Sequence, residues 1–198
     1  MKESSKETII KSLRSSLMDK AECEPEPSET EQYFDLPDDD LPIVFAQQFT
    51  KAGGTLYYCA NEEEVGLRLS HVCSQYSSTA MICSSDSLTG FVKNLVQGDV
   101  RTVRPGEAPK VGIVACEALL AWNGTVAVTA MQGLGTTLEA MPPVTVLVAF
   151  TSQVTTDWQA ALANMEQMYG ACPDEVAVLQ VPDDNDHKFY MILIEDQE

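Results

Sequence analysis

KVGIVACEALLAWNGTVAVTAMQGLGTTLEAMPPVTVLVAFT, residues 110–151, holds the densest apolar runs of the chain. The runs Val111–Ala115, Thr125–Ala130 and Val144–Phe150 are short and β-branched. Gly, Asn and Pro bound them, and no alternating polar residues interrupt them. Short continuous apolar runs of this kind predict strands buried on both faces, in a sheet covered by helices. Asn123-Gly124 supplies the positive φ of a sharp reversal after Trp122. Pro142-Pro143 stops any helix before the third strand.

Outward from this stretch the chain alternates. Leu41–Ala52 reads as a helix ended by Gly53-Gly54, and Thr55–Cys59 as a strand. Asn61 caps a helix reaching about Gln75 through Val65, Leu67, Leu69 and Val72. Thr79–Cys83 is a strand, Ser84 or Ser85 caps a helix to about Val96, and Val100–Val103 is a short strand. Thr156–Tyr169 is a helix closed by Gly170. Val176–Val181 and Phe189–Ile194 are strands whose connection, Pro182–Lys188, is too short for a parallel crossover. An antiparallel hairpin or meander is expected there. Strands and helices at this spacing mean βαβ units, an α/β fold with a mostly parallel sheet flanked by helices.

Before that domain, residues 41–198, stand two segments of different composition. In residues 1–20, Ser4 and Glu7 form a capping box. Ile9, Ile10, Leu13 and Leu17 share one face of a helix expected over about 6–18. This helix either packs on its own domain or reaches to a partner. Residues 21–40 contain nine acidic side chains, no basic one and three prolines. They read as a solvated linker. Asp38, Asp39 and Asp40 are consecutive carboxylates on that linker, and such a run seldom converges on a metal.

The whole chain has 198 residues and a formal charge of −18, with 44% hydrophobic and 21% charged residues. That length suits one α/β domain with a substantial core. The charge disfavours nucleic acid and anionic lipid, which repel it. No apolar run is long enough to span a membrane, and the charged N-terminus lacks a signal peptide's apolar core. Cys23, Cys59, Cys73, Cys83, Cys116 and Cys172 form no C-x-x-C pair, so no zinc or iron–sulfur motif is expected and no metal or cofactor is assigned. They read as reduced residues, mostly of the core, in a cytoplasmic protein.

Candidate functional residues are few. Ligands of open α/β sheets sit beyond the carboxyl ends of the strands. Asn123, Gly124 and Thr125 would form one wall of such a site, and Gln132, Gly133, Gly135, Thr136 and Thr137 the other. The run Gly133-Leu134-Gly135-Thr136-Thr137 lacks the Gly-Lys-Ser/Thr ending of a phosphate loop and reads first as a loop at the strand ends. Glu117 and Glu139 are the carboxylates of the central stretch. His71 reads as structural. Asp183, Asp184, Asp186 and His187 read first as a polar turn and second as a cation site. Two histidines so placed give no Ser/His/Asp set.

Gly112-Ile113, Ala118-Leu119-Leu120-Ala121, Gly124-Thr125, Pro142-Pro143 and the apolar run after them resemble the LUD domain (DUF162), the family of lactate-utilisation protein C. In order and spacing the resemblance spans roughly residues 5–194, and the central stretch is its specific part. It implies a fold similar to the ribose-5-phosphate isomerase and CoA-transferase superfamily. In CoA transferases a glutamate attacks the thioester, which makes Glu117 a weak candidate nucleophile. The sequence also departs from the family. Trp122 and Asn123 stand where an acidic or polar residue and a threonine are usual, and Thr136 and Thr137 where related members often have arginine. The Gly-Pro-Ser-x-Thr-x-Asp and His-Gly-Pro segments near the family's C-terminus are missing.

The expected function is an accessory, non-catalytic or weakly ligand-binding subunit of a lactate-utilisation-like oxidation system. The resemblance implies iron–sulfur partner proteins that carry the electrons. Two alternatives stand beside it. One is an isomerase or CoA-transferase type enzyme acting on a small organic acid or its thioester. The other is a small-molecule sensor. Oligomeric state is left open by the sequence.

Overall fold

The computed structural model describes residues 40–78, 80–104, 106–129, 141–173, 175–183 and 186–196. The first helix, α1 (Leu41–Lys51), opens with Pro42 in its first turn, where a missing N–H costs nothing. β1 (Thr55–Cys59) leads to α2 (Glu62–Gln75), whose start is fixed by its sequence. The Asn61 side chain accepts from the Glu64 amide at 3.0 Å, and Glu64 Oε2 accepts from the Ala60 amide at 3.0 Å. Three glutamates in the first turn add favourable charge at the positive end of the helix dipole. β2 (Ala80–Cys83) precedes α3 (Asp86–Leu95), which is capped by Ser85.

β3 (Asp99–Thr102), β4 (Val111–Ala115), β5 (Ala118–Leu120), β6 (Thr125–Thr129) and β7 (Val144–Phe150) follow. A 3₁₀ turn over Thr151–Gln153 leads to the two-residue strand β8 (Val154–Thr155). Asp157 then caps α4 (Trp158–Tyr169) by accepting from the Ala160 amide at 2.9 Å. Gly170, at φ +76°, ends it in the left-handed conformation that glycine adopts freely. β9 (Val176–Leu179) and β10 (Lys188–Ile194) complete the described chain.

The strands form two sheets. The larger has six strands in the order β1-β10-β7-β4-β2-β3, and every pairing in it is parallel. The smaller has the order β8-β5-β6-β9 and contains antiparallel pairings of β6 with β5 and with β9. The α/β class with a mostly parallel, helix-flanked sheet is therefore as the sequence implies.

Three apolar clusters stack these layers. Alternation along β10 divides the first two: Phe189, Met191 and Leu193 face one cluster, and Tyr190, Ile192 and Ile194 the other. The first cluster lies between the two sheets and takes in Leu41, Phe45 and Phe49 of α1. The second packs α2 and α3 on the opposite face of the large sheet. The third seats Ala161 and Met165 of α4 on Ala118, Leu120 and Ala127 of the small sheet.

Two expectations are corrected. Val176–Leu179 and Lys188–Ile194 do not pair with each other. β9 joins β6, whereas β10 enters the large sheet between β1 and β7, so the short connection carries the chain from one sheet to the other. The reason lies in burial. β10 is buried on both faces as a central parallel strand must be, and β9 keeps exposed positions as an edge strand does. The second correction concerns the central stretch. Only β4 and β7 belong to the large sheet, and β6 is paired instead with Ala118–Leu120 in the small one. All three are buried on both faces, but β6 lies between the large sheet and α4.

Candidate functional site

Cys116 and Glu117 form the seam between the sheets. The Cys116 amide donates to Val148 O of the large sheet at 2.9 Å, and the next amide, of Glu117, donates to Ala127 O of the small sheet at 2.8 Å. Gln153 closes this seam. Its Nε2 donates to Cys116 O at 2.7 Å and to Glu117 O at 3.3 Å, while its Oε1 accepts from the Phe150 amide at 2.7 Å.

The Glu117 side chain is 7% exposed. Its Oε1 accepts from Thr129 Oγ1 at 3.0 Å and its Oε2 from the Tyr169 hydroxyl at 2.7 Å. It thus ties the end of β6 to the end of α4. Burial first, then the bond to Glu117 and its charge, push the Tyr169 phenol up to about 12. The neighbouring Cys116 thiol is pushed up by burial and by the same carboxylate. A buried carboxylate with two hydroxyl donors is oriented away from solvent, unlike an exposed attacking nucleophile. Glu117 sits at the bend that joins β4 to β5.

Asn123, Gly124 and Thr125 make a tight turn against α1. Asn123 Oδ1 accepts from the Thr125 amide at 3.1 Å and the Thr125 hydroxyl at 2.7 Å. Gly124 and Thr125 are buried. A Cβ on Gly124 would stand 2.6 Å from the Phe49 amide nitrogen, so this turn holds the back of α1. Gln132, Gly133, Gly135, Thr136, Thr137 and Glu139 lie outside the described residues, as do Asp184, Asp38 and Asp39. His71 is exposed on α2. His187 lines a small concavity of about 450 Å³ with Thr55 and Asp183 at the amino ends of β1 and β10.

The main concavity is on the other side of α1. It is a groove of about 1510 Å³ at the carboxyl ends of β1, β10 and β7, where ligands of parallel α/β sheets collect. Ile43 and Gln47 of α1 form one wall, Thr156 and Asn164 the other, and Leu56 and Leu193 the floor. Ile43 is 57% exposed and Tyr58 50% exposed. At one end Tyr58 stands beside Glu195; its phenol is pushed up by desolvation first and then by that carboxylate. Beside it Asp196 accepts from Thr151 Oγ1 at 2.8 Å, the Ser152 amide at 2.6 Å and Ser152 Oγ at 3.0 Å. Burial pushes the Asp196 carboxyl up, but these donors hold it below its ordinary value. The groove therefore has an apolar floor, an anionic end and one cation, Lys51, among its lining residues.

Tyr58, Thr151, Ser152, Glu195 and Asp196 did not stand out in the sequence. The available signal was position: Thr-Ser and Glu-Asp directly follow the apolar runs of β7 and β10. Among the described residues no group of three or more His, Cys, Asp or Glu is placed to hold a metal ion. Cys59, Cys73, Cys83 and Cys116 are free and buried, and Cys172 is free and exposed. No helix among the described residues is long and apolar enough to cross a membrane.

No family model matches this chain, and no curated protein matches it in sequence. Among solved structures it is similar to the crystal structure of a DUF162 family protein from Deinococcus radiodurans, with a TM-score of 0.56 and 11% identity. The match covers 81% of this chain and 99% of that one. The chain has a DUF162-type, that is LUD-type, fold.

Proposed function

We propose that this protein is an accessory, non-catalytic or weakly ligand-binding subunit of a lactate-utilisation-like oxidation system, working with iron–sulfur partner proteins. The observation that carries the reading is the state of Glu117. The carboxylate that the family comparison offers as a nucleophile is buried and holds two hydroxyls across the seam between the sheets. Acyl transfer needs an accessible, activated nucleophile and donors for the developing oxyanion. Glu117 is built into the architecture instead. Oxidation of a hydroxy acid needs a redox cofactor, and this sequence carries no recognisable binding segment for one. Electron transfer then falls to the partners, and this chain contributes the groove at the strand ends.

The test is to assay the isolated protein with lactate and an artificial electron acceptor, and separately with acyl-CoA and small acids. The expected result is no turnover alone, and oxidation once iron–sulfur proteins encoded beside it are added. Transfer by the isolated protein that disappears in Glu117→Gln would replace this reading with the CoA-transferase type.

A further inference from the structure

The groove beside α1 is larger than the roughly 300–1,000 Å³ of small-molecule pockets. It is open along α1, and its exposed Ile43 and Tyr58 leave apolar surface uncovered. A helix of 13 residues is about 20 Å long and roughly 10 Å across, a size such a trough accommodates. The chain itself provides such a segment. Residues 6–18 predict an amphipathic helix with Ile9, Ile10, Leu13 and Leu17 on one face.

We propose that residues 6–18 of this chain dock in the groove between α1 and α4, apolar face down. Three observations select this occupant. The first is the point of attachment. Leu41, Pro42 and Ile43, the first residues of α1, line the groove, so the preceding chain enters at the groove's own wall. The second is reach. Twenty residues, 21–40, can span at most about 70 Å, so the connection is long enough to bring 6–18 onto any part of the groove. The third is charge. Residues 1–20 carry Lys2, Lys6, Lys11, Arg14 and Lys20 against three acidic residues, and are the basic part of an otherwise acidic chain. The groove presents Glu195 and Asp196 at its end.

This proposal stands independently of the subunit role, because it concerns what the chain does to its own groove.

Hydrogen exchange of the full chain, read by mass spectrometry at a concentration where it is monomeric, tests it. Amides of residues 6–18 should exchange at least about tenfold slower than in an unfolded peptide, and those facing the groove in α1 should slow with them. Leu13→Asp should release both sets together. Ile43→Asp, at an exposed position, should release residues 6–18 from the other side with the melting temperature nearly unchanged. Should Ile43→Asp unfold the domain, Leu13→Asp decides alone, since it lies outside the described body. Unprotected amides at 6–18 in the wild-type chain would overturn the proposal. Protection that appears only as the chain dimerises would overturn it too, in favour of a second copy as occupant.

Discussion

At Gly124 the backbone has φ +69°, and an added Cβ would stand 2.6 Å from Phe49 N and 2.8 Å from Gln48 C. Both neighbours are α1 backbone, which cannot rotate aside. Gly124→Ala should therefore cost about 2–4 kcal/mol, read as a lowered denaturation midpoint with unchanged m-value. A change under about 0.5 kcal/mol would show that α1 is not held by this turn. Glu117 gives a second prediction through Tyr169. The folded phenol titrates at about 12 against an ordinary value of 10.0. A raised value means that the folded state keeps a proton the unfolded chain loses. The stability from this group is thus intact below pH 10 and is lost as pH rises through about 12. Glu117→Gln removes the negative charge that opposes phenolate. The Tyr169 titration, isolated as the absorbance difference from Tyr169→Phe, should move down towards its ordinary value. It should stop short of that value, because burial is the larger cause. An unmoved titration would mean that the carboxylate is not what holds the phenol neutral.

At the scale of elements, β9 and β10 were both legible as strands and were placed wrongly relative to each other. Their energetics should differ accordingly. Ile192 in β10 is fully buried, between β1 and β7. Ile192→Ala should cost about 2–5 kcal/mol. Val178 in β9 is 48% exposed, and Val178→Ala should cost under about 1 kcal/mol. Equal losses would contradict the two-sheet arrangement. Helix boundaries were legible because side chains specify them locally, as Asn61, Ser85 and Gly170 do. Sheet membership was not, because an apolar run buried under a second sheet looks like one buried under helices. β5 was hidden for a related reason: three residues are too few to show a period. The candidate site suffered most. Asn123-Gly124-Thr125 was recognisable as a turn, but that it backs α1 is a tertiary fact. The groove on the far side of α1 is assembled from α1, β1, β10 and α4, whose side chains converge from distant parts of the sequence.

For the whole molecule, charge is the property that no single contact explains. Thirty acidic residues face twelve basic ones, a formal charge of −18. Local arrangements relieve part of this, as where Arg101 donates to both Glu107 oxygens at 2.8 and 2.6 Å. Such a partly exposed pair stabilises little by itself. The remaining carboxylates are closer to one another in the folded chain than in the expanded unfolded one. Repulsion therefore destabilises the folded state more, and screening should favour folding. The Debye length falls from about 30 Å at 0.01 M salt to about 8 Å at 0.15 M, which brackets the radius of a domain of this size, about 20 Å. The melting temperature at neutral pH should rise by about 3–6 °C over that interval of sodium chloride, equivalent to roughly 1–2 kcal/mol. The range stays below concentrations where salt exclusion strengthens apolar burial, so the rise reports charge. A melting temperature that is flat or falls with added salt would mean that specific ion pairs, which screening weakens, outweigh the net repulsion. The same charge sets a condition on partners. The association rate of any binding protein with a basic face should fall as salt rises.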